Sequence, residues 1–390
     1  RILIAKEKLG LFETPYPNFD NFPKFGSKEH ALQSLQAARE AITLVKNESI
    51  LPLSTSTKIL VTGPGANSLN YINGGWTHTW QGDETKYNTP GKNTIQEALK
   101  ILSPNVTYME GSGLDTNINT LETLKEAENH DVIVVCLAED PAAEGPADIN
   151  VLDFPEAQQN LVKELHKSGK PIVVVSTTAR PRIIRGIEPL MNAILLAYLP
   201  GDEGGTAIAE TIFGLNNPSG KLPFTYPKYQ GLNITYDHKH TEKINRFLGQ
   251  TSSLSEYDAQ FKGLVYQWDF GYGLSYSNFK YTELKLDKKS YTQSDTLNIE
   301  VTVTNDSDIE GSEVVQAYCS DLVASVTPSV KRLRGFKKIK LNPNESKRVK
   351  LNIPLKELAF VGMDNKWIVE SGKFKLSISN LQTEFSVVGQ

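Results

Sequence analysis

Only two cysteines occur in 390 residues: Cys136 inside an apolar run, and Cys319 far downstream in a different kind of sequence. Two thiols so placed do not make a disulfide framework, and buried free thiols are what apolar strand positions suit. Long hydrophobic runs are also missing. No stretch approaches the roughly 18 apolar residues of a membrane-spanning helix, so no membrane partner is expected. The opening residues, Arg1-Ile-Leu-Ile-Ala-Lys-Glu-Lys, lack the apolar run and small-residue cleavage site of a signal peptide. Neither sign of charge dominates, with 41 basic against 45 acidic residues and a net charge of -4, so the electrostatic footprint of a nucleic-acid binder is absent.

Several signatures of chemistry are missing as well. Gly63-Pro-Gly-Ala-Asn-Ser resembles a dinucleotide loop only loosely, because Pro64 removes a backbone donor and Ser68 stands where the third glycine belongs. There is no Walker Lys-Ser/Thr pair and no Gly-x-Ser-x-Gly elbow. His238-Lys-His240 offers two imidazoles without a third ligand nearby, so neither metal nor cofactor is expected. Asn-x-Ser/Thr triplets such as Asn105-Val-Thr and Asn233-Ile-Thr matter only in a eukaryotic secretory host.

A chain of this length with 39% hydrophobic and 22% charged residues can bury real cores and should form two or three domains. Residues 27–215 alternate helical and strand patterns in the way that builds a parallel sheet. Ser27 can cap a helix that places Leu32, Leu35, Ile42 and Val45 on one face and ends near Asn47. Strands are predicted at 58–62, 106–109, 131–137, 171–176 and 193–197, and helices at 94–102, 121–129, 156–166 and 203–213. Continuous runs such as Val132-Ile-Val-Val-Cys-Leu suit strands covered on both faces. After Tyr276 the pattern changes to period-two alternation, as in Leu297-Asn-Ile-Glu-Val-Thr-Val-Thr, with frequent turn residues. Short strands of that kind argue for an antiparallel sandwich. The expected division is therefore 1–26 as an entry segment, 27–240 as a mostly parallel α/β domain flanked by helices, 241–276 as linker and loop, and 277–390 as an all-β immunoglobulin-like sandwich.

In open parallel sheets ligands bind beyond the carboxyl ends of the strands, so the loops leaving those ends are where function belongs. Two stand out. The first, 63–93, is longer than ordinary connections and carries Tyr71, Trp76, Trp80 and Tyr87 around Gly74-Gly75. The second follows Leu137 and places Glu139, Asp140, Glu144 and Asp148 in one short segment. Aromatic faces beside carboxylates suit sugar chemistry: pyranose C-H faces pack on indole, and glycosidic cleavage needs one carboxyl group to protonate the leaving oxygen and another to attack or to activate water. Loop packing for Trp76 and simple solvation for any one acid are the bland alternatives.

These loops resemble those of family 3 glycoside hydrolases of the exo-acting β-glucosidase type. Gly74-Gly-Trp-Thr-His-Thr-Trp-Gln-Gly-Asp83 is similar to the sugar-binding loop of the family's second domain. The run from Leu199-Pro-Gly-Asp-Glu-Gly-Gly to Lys221-Leu-Pro-Phe-Thr-Tyr-Pro is similar to its longest shared block, and Phe270-Gly-Tyr-Gly-Leu-Ser-Tyr276 to the entry into its fibronectin type III-like domain. Arg1 to Glu13 resembles the last helix of the family's N-terminal barrel. The resemblance spans nearly the whole chain.

It implies a retaining enzyme acting on terminal β-D-glucosyl residues, with an aspartate nucleophile on a (β/α)-barrel and a glutamate acid/base on this chain. The family pattern of Glu, four residues, Glu, then Gly-Asp/Asn-Ile-Asn puts the acid/base on Glu144, with Glu139 as the preceding glutamate. Both Glu139 and Trp76 are then expected on the substrate, Trp76 on the aglycone side. Ala142 and Ala147 depart from the pattern, where an aromatic residue and glycine are usual. Eight strand-helix units need some 250 residues, so the barrel is expected on another part or chain of the same enzyme, which becomes a partner together with a β-glucoside or oligosaccharide substrate. A non-catalytic carbohydrate-binding or structural fragment, a β-xylosidase and a β-N-acetylhexosaminidase remain alternatives, and a homo-oligomer stays open. A periplasmic or secreted setting follows the family's habits.

Overall fold

The structure, a computed structural model, describes residues 1–231, 235–239 and 266–389. Asn233, His240 and the expected linker over 241–265 lie outside the described residues.

Helix α1 (Ile2–Lys8) buries none of its residues. Ser27 caps α2 (Lys28–Ala41), its hydroxyl accepting from the His30 amide at 3.3 Å. This helix stops short of the expected Asn47, and Leu32, 64% exposed, lies off its packed face, which Leu35 and Ala38 supply. The next residues form β1 (Thr43–Asn47), a strand absent from the expected set. The physical reason is local: Ile42, Thr43 and Val45 are β-branched and stiff at χ1, and Leu44 and Val45 are both buried because a strand sends neighbours to opposite faces.

β2 (Ile59–Thr62), α3 (Asn70–Asn73), α4 (Ile95–Leu102), β3 (Val106–Tyr108), α5 (Thr120–Ala127), β4 (Val132–Ala138), α6 (Glu156–His166), β5 (Ile172–Thr177), β6 (Ala193–Leu196) and α7 (Gly204–Ile212) follow. The sheet order is β1-β6-β5-β4-β2-β3, parallel throughout except for β1 against β6. Thr94 closes a capping box with Glu97 at the start of α4. Alternate strand residues feed two cores: Val134, Cys136 and Val175 pack with Leu99 of α4 and Ile208 of α7, whereas Ile133, Val135, Leu137 and Val174 pack with Leu161 and Leu165 of α6. That double cover explains the unbroken apolar runs. Both thiols are free and buried, and burial pushes that of Cys319 up to about 12.

The stretch 266–276, expected as linker and loop, is built into the α/β domain instead. β7 (Tyr226–Pro227) pairs with β8 (Tyr266–Trp268), the Tyr226 and Trp268 rings meet edge to face at 5.0 Å, and the Leu274 amide donates to the Leu44 carbonyl at 2.7 Å. Aromatic burial on the existing core decides this, since Trp268, Tyr272, Leu274 and Tyr276 all pack against it.

The second domain comprises β9 (Phe279–Leu286), β10 (Ser290–Thr292), β11 (Thr296–Asn305), β12 (Gly311–Asp321), β13 (Arg332–Leu341), β14 (Ser346–Pro354), β15 (Phe360–Val361), β16 (Trp367–Ile368), β17 (Gly372–Ile378) and β18 (Leu381–Val388). Sheets β10-β18-β17-β12-β13 and β14-β11-β9 enclose one core, antiparallel apart from the β10-β18 pair. No helix among the described residues is long and apolar enough to cross a membrane.

Polar groups fasten the two domains. The Lys221 ammonium donates to the Gly273 carbonyl at 2.7 Å and pairs with Glu313 at 3.1 Å, while the Tyr281 hydroxyl donates to the same carboxylate at 2.8 Å. Asn217 donates to Ser277 and to the Glu310 carbonyl, and accepts from Ser275 and the Tyr276 amide. Removing one partner of a largely buried ion pair leaves the other charge uncompensated. Lys221→Met should therefore lower the urea unfolding free energy by about 3 kcal/mol, and adding Glu313→Met should restore most of that loss.

Candidate functional site

β2 and β4 are adjacent parallel strands, in register from Ile59 beside Val132 to Thr62 beside Val135, so the loops leaving their carboxyl ends start side by side. Gly63 makes the departure possible. Its φ is +95°, and a Cβ there would stand 2.6 Å from the Cys136 carbonyl oxygen. The loop then runs through α3 and tightens: the Trp76 amide donates to the Trp80 carbonyl at 2.9 Å, and Gly82 lies against the backbone of Gly74. Both indoles remain in solvent, Trp76 69% and Trp80 50% exposed.

Gln81 ties this loop to the acidic one. Its side-chain amide donates to the Ala143 carbonyl at 3.2 Å and accepts from the Ala143 amide at 2.9 Å. Beside this two-bonded clip Gly75 approaches the Ala142 carbonyl so closely that a Cβ would stand 2.7 Å from its oxygen. Trp76 follows Gly75 and Glu144 follows Ala143, so the exposed indole and the exposed carboxylate flank one contact.

The two glutamates of the acidic loop have opposite surroundings. Glu139 is 5% exposed and has both oxygens engaged: one accepts the Ala179 and Arg180 amides at 2.5 and 3.2 Å, the other Arg180 Nη1 at 2.7 Å and Arg182 Nε at 3.0 Å. Arg180 also reaches the Ala147 carbonyl on the far side of Glu144. Glu144 lies at the surface with φ +56° and ψ -142°, close to a region that side chains avoid at a cost of order 1–3 kcal/mol. Trp76 and His78 also have positive φ. Such strain persists only where the surroundings over-determine it, and it gathers at functional sites.

Asp202 supports the aromatic loop, accepting from Thr89 at 2.6 Å and Asn73 at 2.9 Å, with His78 Nε2 at 3.4 Å. Burial opposes its charge, yet those hydrogen bonds hold its carboxyl below the ordinary range. Asp140 goes the other way. Burial raises its pKa, and the neighbouring Asp83 and Asp115 charges raise it further. Asp148, the last acid of the segment, is exposed. Among the described residues no group of His, Cys, Asp or Glu is placed to hold a metal ion.

Gln81, Asp202, Arg180 and Arg182 were not singled out from the sequence as site residues. Asp202 lies within a motif block whose role there was only resemblance, and a lone glutamine carries no pattern. Arg180-Pro-Arg182 after a buried strand, forty residues beyond a buried glutamate, was the one available signal.

Residues 42–276 match the glycosyl hydrolase family 3 C-terminal domain, and residues 313–382 a fibronectin type III-like domain. The chain belongs to glycosyl hydrolase family 3. Over 98% of its length it is 38% identical to a lysosomal beta glucosidase of Dictyostelium discoideum, covering 47% of that protein. It is 32% identical to a periplasmic beta-glucosidase of Salmonella typhimurium, covering 97% of this chain and 52% of that one. A beta-glucosidase from Listeria innocua, solved with isofagomine, superimposes with a TM-score of 0.86 at 27% identity, covering 100% of this chain and 55% of that one. The chain thus spans about half the length of the curated relatives it matches.

Because folding raises the pKa of Asp140, its ionisation costs stability as pH climbs from the unfolded value through the folded one, and the cost is complete above that window. Asp140→Asn should raise the melting temperature at pH 7, by roughly 1 °C given solvent screening, and show no advantage below about pH 4.

Proposed function

We propose that this chain forms one wall of a retaining, exo-acting β-glucosidase and carries its acid/base, Glu144, while an N-terminal barrel carries the aspartate nucleophile. The clip between Gln81 and Ala143 is the observation that carries this reading, because it sets an exposed indole and an exposed glutamate on strained backbone side by side on one rim. The undocked helix α1, with Ile2, Leu3 and Leu9 in solvent, supports a barrel packed against the N-terminal segment, and the greater length of the relatives leaves room for one.

In the first step the barrel aspartate attacks the anomeric carbon while Glu144, protonated, gives its proton to the departing glycosidic oxygen. The bond to the aglycone breaks and a covalent glycosyl-enzyme forms. In the second step the Glu144 carboxylate takes a proton from water, whose oxygen displaces the aspartate and releases the sugar with its configuration retained. That chemistry needs the two carboxyl groups only about 5 Å apart, so Glu144 must face the barrel across a single sugar bond. Trp76 offers an apolar face to the ring on the aglycone side. Glu139, with its oxygens already occupied, acts by holding the loop through Arg180 and Arg182 rather than by touching sugar. We place the enzyme in a periplasmic or secreted setting, in keeping with the periplasmic relative.

The test uses the full-length enzyme. Glu144→Gln should lower kcat/KM on an alkyl β-glucoside about a thousandfold, but far less on a dinitrophenyl β-glucoside, whose leaving group needs no proton, and azide should restore turnover by replacing water in the second step. Asp148→Asn should stay within about threefold of wild type, the scale of a solvated charge. Wild-type turnover of the alkyl glucoside by Glu144→Gln, or faster cleavage by the wild-type enzyme of the matching alkyl β-xyloside than of the glucoside, would sink the corresponding part of the reading.

A further inference from the structure

The fibronectin-like domain contains a cavity of about 250 Å³ that the glycosidase chemistry does not use. Its wall includes two arginines of β13, Arg332 and Arg334, together with Trp367, Phe360, Ser329 and Asp321. The backbone presents Arg334 in an unusual way. Ala317 of β12 pairs with Gly335 and Tyr318 with Leu333, so Arg334 is the extra residue of a β-bulge, a device that re-aims a side chain.

Three cations, Lys239, Arg332 and Arg334, line the cavity against one carboxylate, Asp321. Arg332 has a loose ion pair with Asp237 at 3.6 Å, too long for a hydrogen bond. Arg334 makes no hydrogen bond or ion pair among the described residues, although burial and then the nearby Arg332 charge disfavour its protonated form. Guanidinium groups withdrawn from water are ordinarily matched by an anion. Asp321 does not supply that match; it accepts from the Val323 amide at 3.2 Å, and burial raises its pKa.

We propose that this cavity binds a single hexuronic acid residue, an acidic pyranose such as those that decorate plant and microbial glycans. A planar carboxylate fits the forked donors of Arg334 and Arg332. Trp367, 71% exposed on the β15-β16 ribbon, offers a face for the ring C-H groups, and Ser329 and Asp321 offer partners for its hydroxyls. The volume lies below the roughly 300–1,000 Å³ of pockets for drug-sized ligands, which suits one ring and not a chain buried along its length. The site would tether acidic glycans through a domain that carries no catalytic carboxylate.

The experiment titrates the chain with methyl β-D-glucuronide, methyl β-D-glucoside and sodium acetate at constant ionic strength, reading tryptophan fluorescence and ligand saturation-transfer NMR. The glucuronide should bind, the neutral glucoside at least tenfold more weakly, and acetate should compete only weakly. Arg334→Gln and the surface change Trp367→Ala should each weaken glucuronide binding tenfold or more with an unchanged melting temperature, and Arg334→Lys should recover only part. If Arg334→Gln unfolds, Trp367→Ala decides. Equal binding of glucoside and glucuronide, acetate competing as well as the glucuronide, no binding at all, or undiminished binding to Trp367→Ala overturns the proposal. No hydrolysis is read, so this outcome and that of the Glu144 test are independent.

Discussion

The arrangement at the carboxyl edge of the sheet depends on one amide. Gln81 donates and accepts at the same residue, Ala143, and so fixes both the separation and the register of two loops that leave neighbouring strands. A single hydrogen bond contributes about 1 kcal/mol net and leaves rotation free; a paired donor and acceptor in one plane removes that rotation. Gly75 against the Ala142 carbonyl then permits an approach that no side chain would tolerate. The clip makes a rim out of two loops.

Rigidity beneath the rim explains how Glu144 can hold a backbone conformation that it would not choose. Glu139 is buried with two arginines and two amides, an arrangement in which breaking any member would leave a charge stranded. Arg180 extends from that cluster to Ala147, and Gln81 grips Ala143, so Glu144 is held from both sides. On the aromatic loop Asp202 does the equivalent for His78 through Asn73 and Thr89. Preorganised geometry of this kind suits proton transfer, where a small misplacement costs far more than the strain itself.

Much of the fold was legible because the double-faced burial of β4 and β5 is written as unbroken apolar runs, and the helices that cover them have amphipathic periodicity, with a capping box opening α4. α6 begins and ends where its pattern does. β1 was misread because Ile42 and Val45 extend the helical spacing of Leu35 by coincidence, and only pairing with β6, some 150 residues away, tells strand from helix. The segment after Tyr266 was misread for a related reason, since its polar start hides aromatics that dock on a core built earlier in the chain. The two candidate loops were visible in the aromatic and acidic residues themselves. What joins them was not, because Gln81 and Asp202 act through backbone and side-chain geometry that no spacing rule encodes.

The difference between the glutamates is where the structure adds most to the sequence. Both lie in the same short acidic segment, and composition treats them alike, yet one is saturated with donors and the other has an open carboxyl group. A carboxylate that already accepts four hydrogen bonds has no lone pair left for a sugar hydroxyl and no room for the proton that a glycosidic oxygen would need. A group that must take up and release a proton in successive steps has to be free of such partners within its own chain, with its environment completed by whatever closes over it. The burial of Glu139 and the exposure of Glu144 fit the proposed division of labour, in which one holds the loop and the other is left open for the proposed barrel to complete.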